Sequence, residues 1–295
     1  MKSQAFKKFK NEMGNANHFL ITIMVGLDAV EDGAQKRDSF HTSWNPKDPK
    51  VSAVRSRHYA IKSALAWTVD NLDMYLRLCN RTPQLFNQQE SIEIAKTKHS
   101  VYNKFLCVIN NHPELTPNLY AYIDLLICWR NNSIHFGAEN QLTESSLRYF
   151  KNIPENDTVV NTYHLDITQM LEHFRSGSCP TFKEVATLIG MTIQFVDKLD
   201  QILIREVQQY EFLETILYHS LKRKEKETRI FDHANTTPEK RQKKLKQYFI
   251  TEGITEDFYN DEGERFLSEI AELSEDEFVK QVDSHRKAKI EAAEE

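Results

Sequence analysis

Glycine and proline are scarce in this chain, at eight of each in 295 residues, and cysteine is scarcer still at four. Few punctuating residues, together with long stretches whose apolar positions recur three or four apart, favour helix over sheet; strand-like alternation is hard to find anywhere. Cys79, Cys107, Cys128 and Cys179 lie singly among apolar neighbours, with no close cysteine pair and no Cys/His spacing that builds a zinc site. They read as small core residues of a reducing compartment. A chain of this length buries a full core without such staples.

A long apolar run is missing too. Lys7, Lys8 and Lys10 precede the apolar stretch from Phe19 to Leu27, which superficially imitates a secretion signal. Glu12, Asn15 and Asn17 interrupt it, Asp28, Glu31 and Asp32 follow it, and it is too short to span a bilayer. The expectation is an amphipathic helix in a cytoplasmic protein without membrane contact. The net charge of −5 does not advertise nucleic-acid binding either, but it hides a polarised tail. Segment 222–246 holds ten lysines and arginines against four carboxylates, and 252–283 holds twelve carboxylates against Arg265 and Lys280. Neighbouring segments of opposite sign can neutralise each other.

Helical periodicity predicts long helices over 4–31, 51–79, 89–111, 117–136 and 181–208, with shorter polar segments between 139 and 180. The fourth has both ends written into it: Thr116 as N-cap, Pro117 at the first helical position and Gly137 at the close. Five such helices suit an all-α antiparallel bundle. Beyond Glu211 the texture changes, so the chain divides into a bundle over 1–210 and a helical, charge-segregated extension over 211–295.

The fourth helix ends in Arg130-Asn131-Asn132-Ser133-Ile134-His135. On a continuous helix Asn131 and His135 share one face, and the long stem of Arg130 reaches the same place. A cation, an amide and a proton-transfer group are then presented together. Attack by a ribose 2′-hydroxyl on its own phosphodiester needs a base, an acid and positive charge on the phosphorane. Histidine serves as either acid or base near neutral pH, and arginine forks onto phosphate oxygens. The negative end of a helix favours the imidazolium, which biases His135 toward the acid role or toward holding phosphate. One histidine leaves one proton transfer unassigned, and a two-fold homodimer would supply the second. The structural alternative is that Arg130 snorkels out of the core while His135 caps the helix end.

These residues resemble the motif of the HEPN superfamily: an arginine, a polar residue right after it, often asparagine, and a histidine separated from the arginine by four to six residues, on a late helix of an α-helical bundle. Arg130, Asn131 and His135 match with four intervening residues. The resemblance covers the chain to about 210. It implies a dimeric endoribonuclease that uses no metal or other cofactor and leaves 2′,3′-cyclic phosphate and 5′-hydroxyl ends. Such proteins often act as toxins or antiviral defence effectors on tRNA or mRNA; some members have lost cleavage and only bind or dimerise.

Arg55, Arg57, His58 and Lys62 at the start of the second helix, Lys7, Lys8 and Lys10 at the start of the first, and Lys222, Arg223 and Lys224 in the tail are further basic residues that can flank an RNA path by counterion release. As solvated helix faces they need no function. Tyr59 and Trp67 offer base stacking, although aromatic residues at helical spacing usually belong to a core. The extension over 211–295 can recruit an antitoxin or a defence-complex partner. A non-catalytic helical adaptor, joined to protein or RNA partners through its tail, is the competing expectation.

Overall fold

In the computed structural model, residues 1–135, 137–154, 157–220 and 237–294 are described, and these contain helices and no strand. In chain order the helices are α1 (Gln4–Met13), α2 (Ala16–Glu31), α3 (Pro49–Cys79), α4 (Gln88–Lys96), α5 (Val101–Asn111), α6 (Pro117–Ile134) and α7 (Glu144–Lys151). They continue as α8 (Thr158–Tyr163), α9 (Ile167–Arg175), α10 (Phe182–Glu206), α11 (Gln209–Ser220), α12 (Pro238–Thr251), α13 (Asp261–Glu272) and α14 (Glu275–Glu294). The chain is all-α, as its periodicity predicts. Among the described residues no helix is long and apolar enough to cross a membrane.

Two of the expected helices are each divided in the structure. The predicted helix over 4–31 breaks at Gly14 and Asn15, both poor helix formers, where a Cβ on Gly14 would sit 2.8 Å from the Lys10 carbonyl oxygen. The break lets α1 bury Phe6, Phe9 and Met13 while α2 buries only Leu20. The predicted helix over 89–111 breaks after Lys96, where Lys98 takes a left-handed φ of 54° and Ser100 restarts the chain by capping the Asn103 amide.

The described chain forms two compact units. One comprises Ala5–Arg77 and Ile92–Leu199. Its centre is α6, where every residue from Ala121 to Trp129 is buried. A helix apolar on all sides must be surrounded, and the neighbours are identifiable. Tyr122 meets Phe150 edge-on at 5.3 Å, and the Trp129 indole N–H donates to the Ser178 carbonyl at 3.1 Å. Elsewhere in this unit Phe105 of α5 packs on Phe195 of α10, and Phe9 of α1 packs on Tyr75 of α3. Asp124, fully buried in α6, accepts from both the backbone N–H and the hydroxyl of Thr143 at 2.8 Å, and Thr143 in turn caps α7. Cys79 and Cys128 are buried, and burial pushes the Cys128 thiol up, which keeps it protonated as a packing residue.

The other unit comprises Met1–Gln4, Leu78–Ser91 and Asp200–Glu295. The extension beyond 210 is therefore gathered with two segments from far upstream. The Ser3 amide donates to the Asp200 carboxylate at 3.0 Å, and the Gln4 side chain donates to the Glu252 carbonyl at 2.7 Å. Phe266 of α13 is its aromatic hub, touched by Tyr210 and Phe249. The opposed charges of the tail meet in part: Lys246 of α12 pairs with Glu264 of α13 at 2.6 Å.

Asp124→Ala leaves the half-buried Thr143 amide without its acceptor. It should lower stability by about 1–3 kcal/mol, read as a shift in the urea midpoint with unchanged slope.

Candidate functional site

The buried middle of α6 fixes the direction of its last turn, and that turn carries Arg130, half-buried at the point where the helix leaves the core. The Arg130 guanidinium is a three-way junction. Nη1 donates to the Asn131 side-chain oxygen at 3.0 Å and lies 3.3 Å from His135 Nε2. Nη2 donates to the Asp70 carboxylate at 3.1 Å. A guanidinium has donors and no acceptor, so in a hydrogen bond between the two Nε2 of His135 is the acceptor.

The three residues singled out in the sequence thus come together, by a route different from the expected one. Helix α6 stops at Ile134, and His135 is its C-cap in extended conformation (φ −95°, ψ 117°) rather than a member of the last turn. It is tied back through its own backbone N–H, which donates to the Asn131 carbonyl at 2.9 Å. The imidazole is solvent-exposed, and Arg130, rather than a shared helical face, links it to Asn131. Thr116 is the N-cap and Pro117 stands in the first turn as expected, but the Thr116 hydroxyl turns to the Asn118 side chain instead of accepting from a backbone N–H; Gly137 has a left-handed φ of 74° just past the C-cap.

Residues that local sequence patterns do not single out complete the arrangement. Asp70 lies on α3, sixty residues before Arg130, and its side chain is 65% exposed against 19% for Arg130. Asn132 fastens the chain after the helix. Its Nδ2 donates to the Asn140 carbonyl at 3.1 Å, and its Oδ1 accepts from the Asn140 backbone N–H at 2.7 Å and side-chain Nδ2 at 3.1 Å. The turn bearing His135 is therefore held at both ends. Asn132 stands inside the motif as a spacer, and its role follows only from the return of the chain at Asn140.

The flanking cations have different surroundings. Arg57 faces α2, pairing with Glu31 at 3.0 Å and with Asp28, and both carboxylates hold its guanidinium pKa above the ordinary arginine value. Arg55 and Lys62 are exposed on the same helix. Lys222, Arg223 and Lys224 lie outside the described residues. Among the described residues, no three His, Cys, Asp or Glu side chains gather as a metal site requires.

The arrangement can bind an oxyanion at the outer edge of Arg130 and move a proton at His135 Nε2. Comparison with protein-family models, curated proteins and solved structures finds no match for this chain.

Asp70 competes with an incoming oxyanion for Nη2. Asp70→Asn should leave stability within about 1 kcal/mol, as for an exposed ion pair, while inorganic phosphate perturbs the His135 ring resonances at lower concentration than in the parent. An unchanged titration would remove Asp70 from the site.

Proposed function

We propose that this protein is a HEPN-type endoribonuclease working without a metal, with Arg130, Asn131 and His135 as its cleavage machinery. The observation that carries this reading is the Arg130 guanidinium donating to Asn131 and contacting His135 at the open end of a helix that is buried from Ala121 to Trp129. The resemblance of the Arg-Asn-x-x-x-His spacing to the HEPN motif supplies the reaction class.

The chemistry follows from these groups. A scissile phosphate replaces Asp70 on Nη2 and draws Nη1 toward its second oxygen, so the guanidinium lets go of His135 Nε2. The freed lone pair takes the proton from the ribose 2′-hydroxyl as that oxygen attacks the adjacent phosphorus. Charge growing on the phosphorane is met by Arg130, with Asn131 orienting the guanidinium. The bond from phosphorus to the 5′-oxygen breaks, and that oxygen takes a proton from a second acid. In a two-fold dimer His135 of the partner subunit is that acid, and the products are a 2′,3′-cyclic phosphate and a 5′-hydroxyl. The substrates are tRNA or mRNA, and the biological setting is a toxin or an antiviral defence effector, with an antitoxin or complex partner engaging 211–295.

Helix α2 supports an assembly of some kind. Phe19, Ile21, Ile23 and Val25 are all exposed, with Phe19 at 59%. An exposed apolar helix is unfavourable in isolation and marks a contact surface. The same feature favours the second reading, a non-catalytic adaptor that dimerises or binds a partner through α2.

The two readings separate in one assay. Purified protein in EDTA should cleave a labelled tRNA pool, and Arg130→Ala and His135→Ala should each lower the rate by about a hundredfold or more with an unchanged helical spectrum. Equal activity in both variants would overturn the nuclease reading. In sedimentation, Ile23→Glu should convert a dimer to monomer while the isolated unfolding transition stays within about 1 kcal/mol of the parent.

A further inference from the structure

Helix α3 carries an exposed aromatic stripe that leads to Arg130. Tyr59 is 77% exposed and Trp67 is 49% exposed, so neither belongs to the core that helical spacing alone assigns to aromatic residues. Tyr59, Ser63, Trp67 and Asp70 follow one another at intervals of four, four and three residues, which places them on one face of a straight helix. Trp67 stands about 4.5 Å along the axis from Asp70, the residue that holds Arg130, and Tyr59 lies about 12 Å beyond Trp67. Arg57, by contrast, is turned toward α2 and its carboxylates.

We propose that this face of α3 is the track on which single-stranded RNA lays unstacked bases, with Trp67 receiving a base next to the phosphate at Arg130 and Tyr59 receiving one farther along. The position of the scissile phosphate rests on the nuclease reading; the stacking itself rests on the exposed rings. Three observations select this occupant. The exposed groups here are aromatic rings separated by a serine, two platforms set apart along one helix face. A gap of about 12 Å is several times a stacked base step of about 3.4 Å, so it fits splayed nucleotides and not a base-paired helix. Exposed Arg55, one turn before Tyr59, and Lys62, between the two rings in sequence, supply charge for a phosphate backbone, and Arg130 stands at the other end of the stripe. The substrate is therefore a loop, bulge or end of an RNA rather than duplex.

The test uses the full chain carrying His135→Ala, so that RNA stays intact, and a labelled single-stranded RNA of about ten nucleotides. Adding Trp67→Ala or Tyr59→Ala should each weaken binding by about tenfold, while Trp67→Phe, which keeps a ring, should stay within about threefold. Binding should quench tryptophan fluorescence in the parent and not in the Trp67→Phe protein, although that protein still binds. A fully paired duplex of the same length should compete about tenfold less well. Thermal unfolding of each variant at the parent temperature excludes a folding defect. Parent-like affinity in both alanine variants, or equal binding of duplex, overturns the proposal. So does loss of a dimer in Trp67→Ala with RNA affinity unchanged, which would make the stripe a protein contact. If the stacking pattern appears and the wild type still cuts no RNA, the track stands and the nuclease reading fails.

Discussion

The burial of α6 is the constraint on which the rest depends. From Ala121 to Trp129 this helix has no solvent-facing side, so its axis is fixed by Tyr122, Asp124 and Trp129 and their partners. Its final turn has no freedom to choose where Arg130 emerges. What is left adjustable is the guanidinium, and that group spends its donors on an amide, an imidazole and a carboxylate. A rigid rod thus ends in a group that can exchange partners.

Of those partners, Asp70 has the least to lose. Its exposed carboxylate gives up little on returning to water, whereas Asn131 and His135 are tethered by the backbone within five residues of Arg130. An oxyanion arriving at Arg130 therefore meets a carboxylate that yields, beside two groups that the backbone keeps near whether or not the guanidinium still touches them. The exposed aromatic stripe of α3 ends at this yielding contact.

Much of the fold was legible in the sequence where residues impose their own backbone geometry. Pro117 and Gly137 mark the ends of α6 because a fixed φ and a left-handed φ are local properties. The breaks at Gly14 and at Thr97 to Ser100 were harder to see, since apolar periodicity continues on both sides of each and only tertiary packing decides whether the chain turns. At the site, Arg130, Asn131 and His135 were legible because they lie within six consecutive residues. Asp70 was not, because its relation to Arg130 exists only across α3 and α6. The same distinction explains Arg57: its charge was plain in the sequence, and its commitment to Asp28 and Glu31 depends on how α2 lies against α3. In the tail the opposed charges were visible as blocks, yet the pairing of Lys246 with Glu264 follows from the packing of α12 on α13.

The clasp between Asn132 and Asn140 has an evolutionary corollary. Because the intervening chain is anchored at both ends, its length is set, and an insertion or deletion there would rotate the exposed imidazole out of reach of Arg130 without disturbing the hydrophobic interior. Substitution should be tolerated along that short span far better than any change in its residue count.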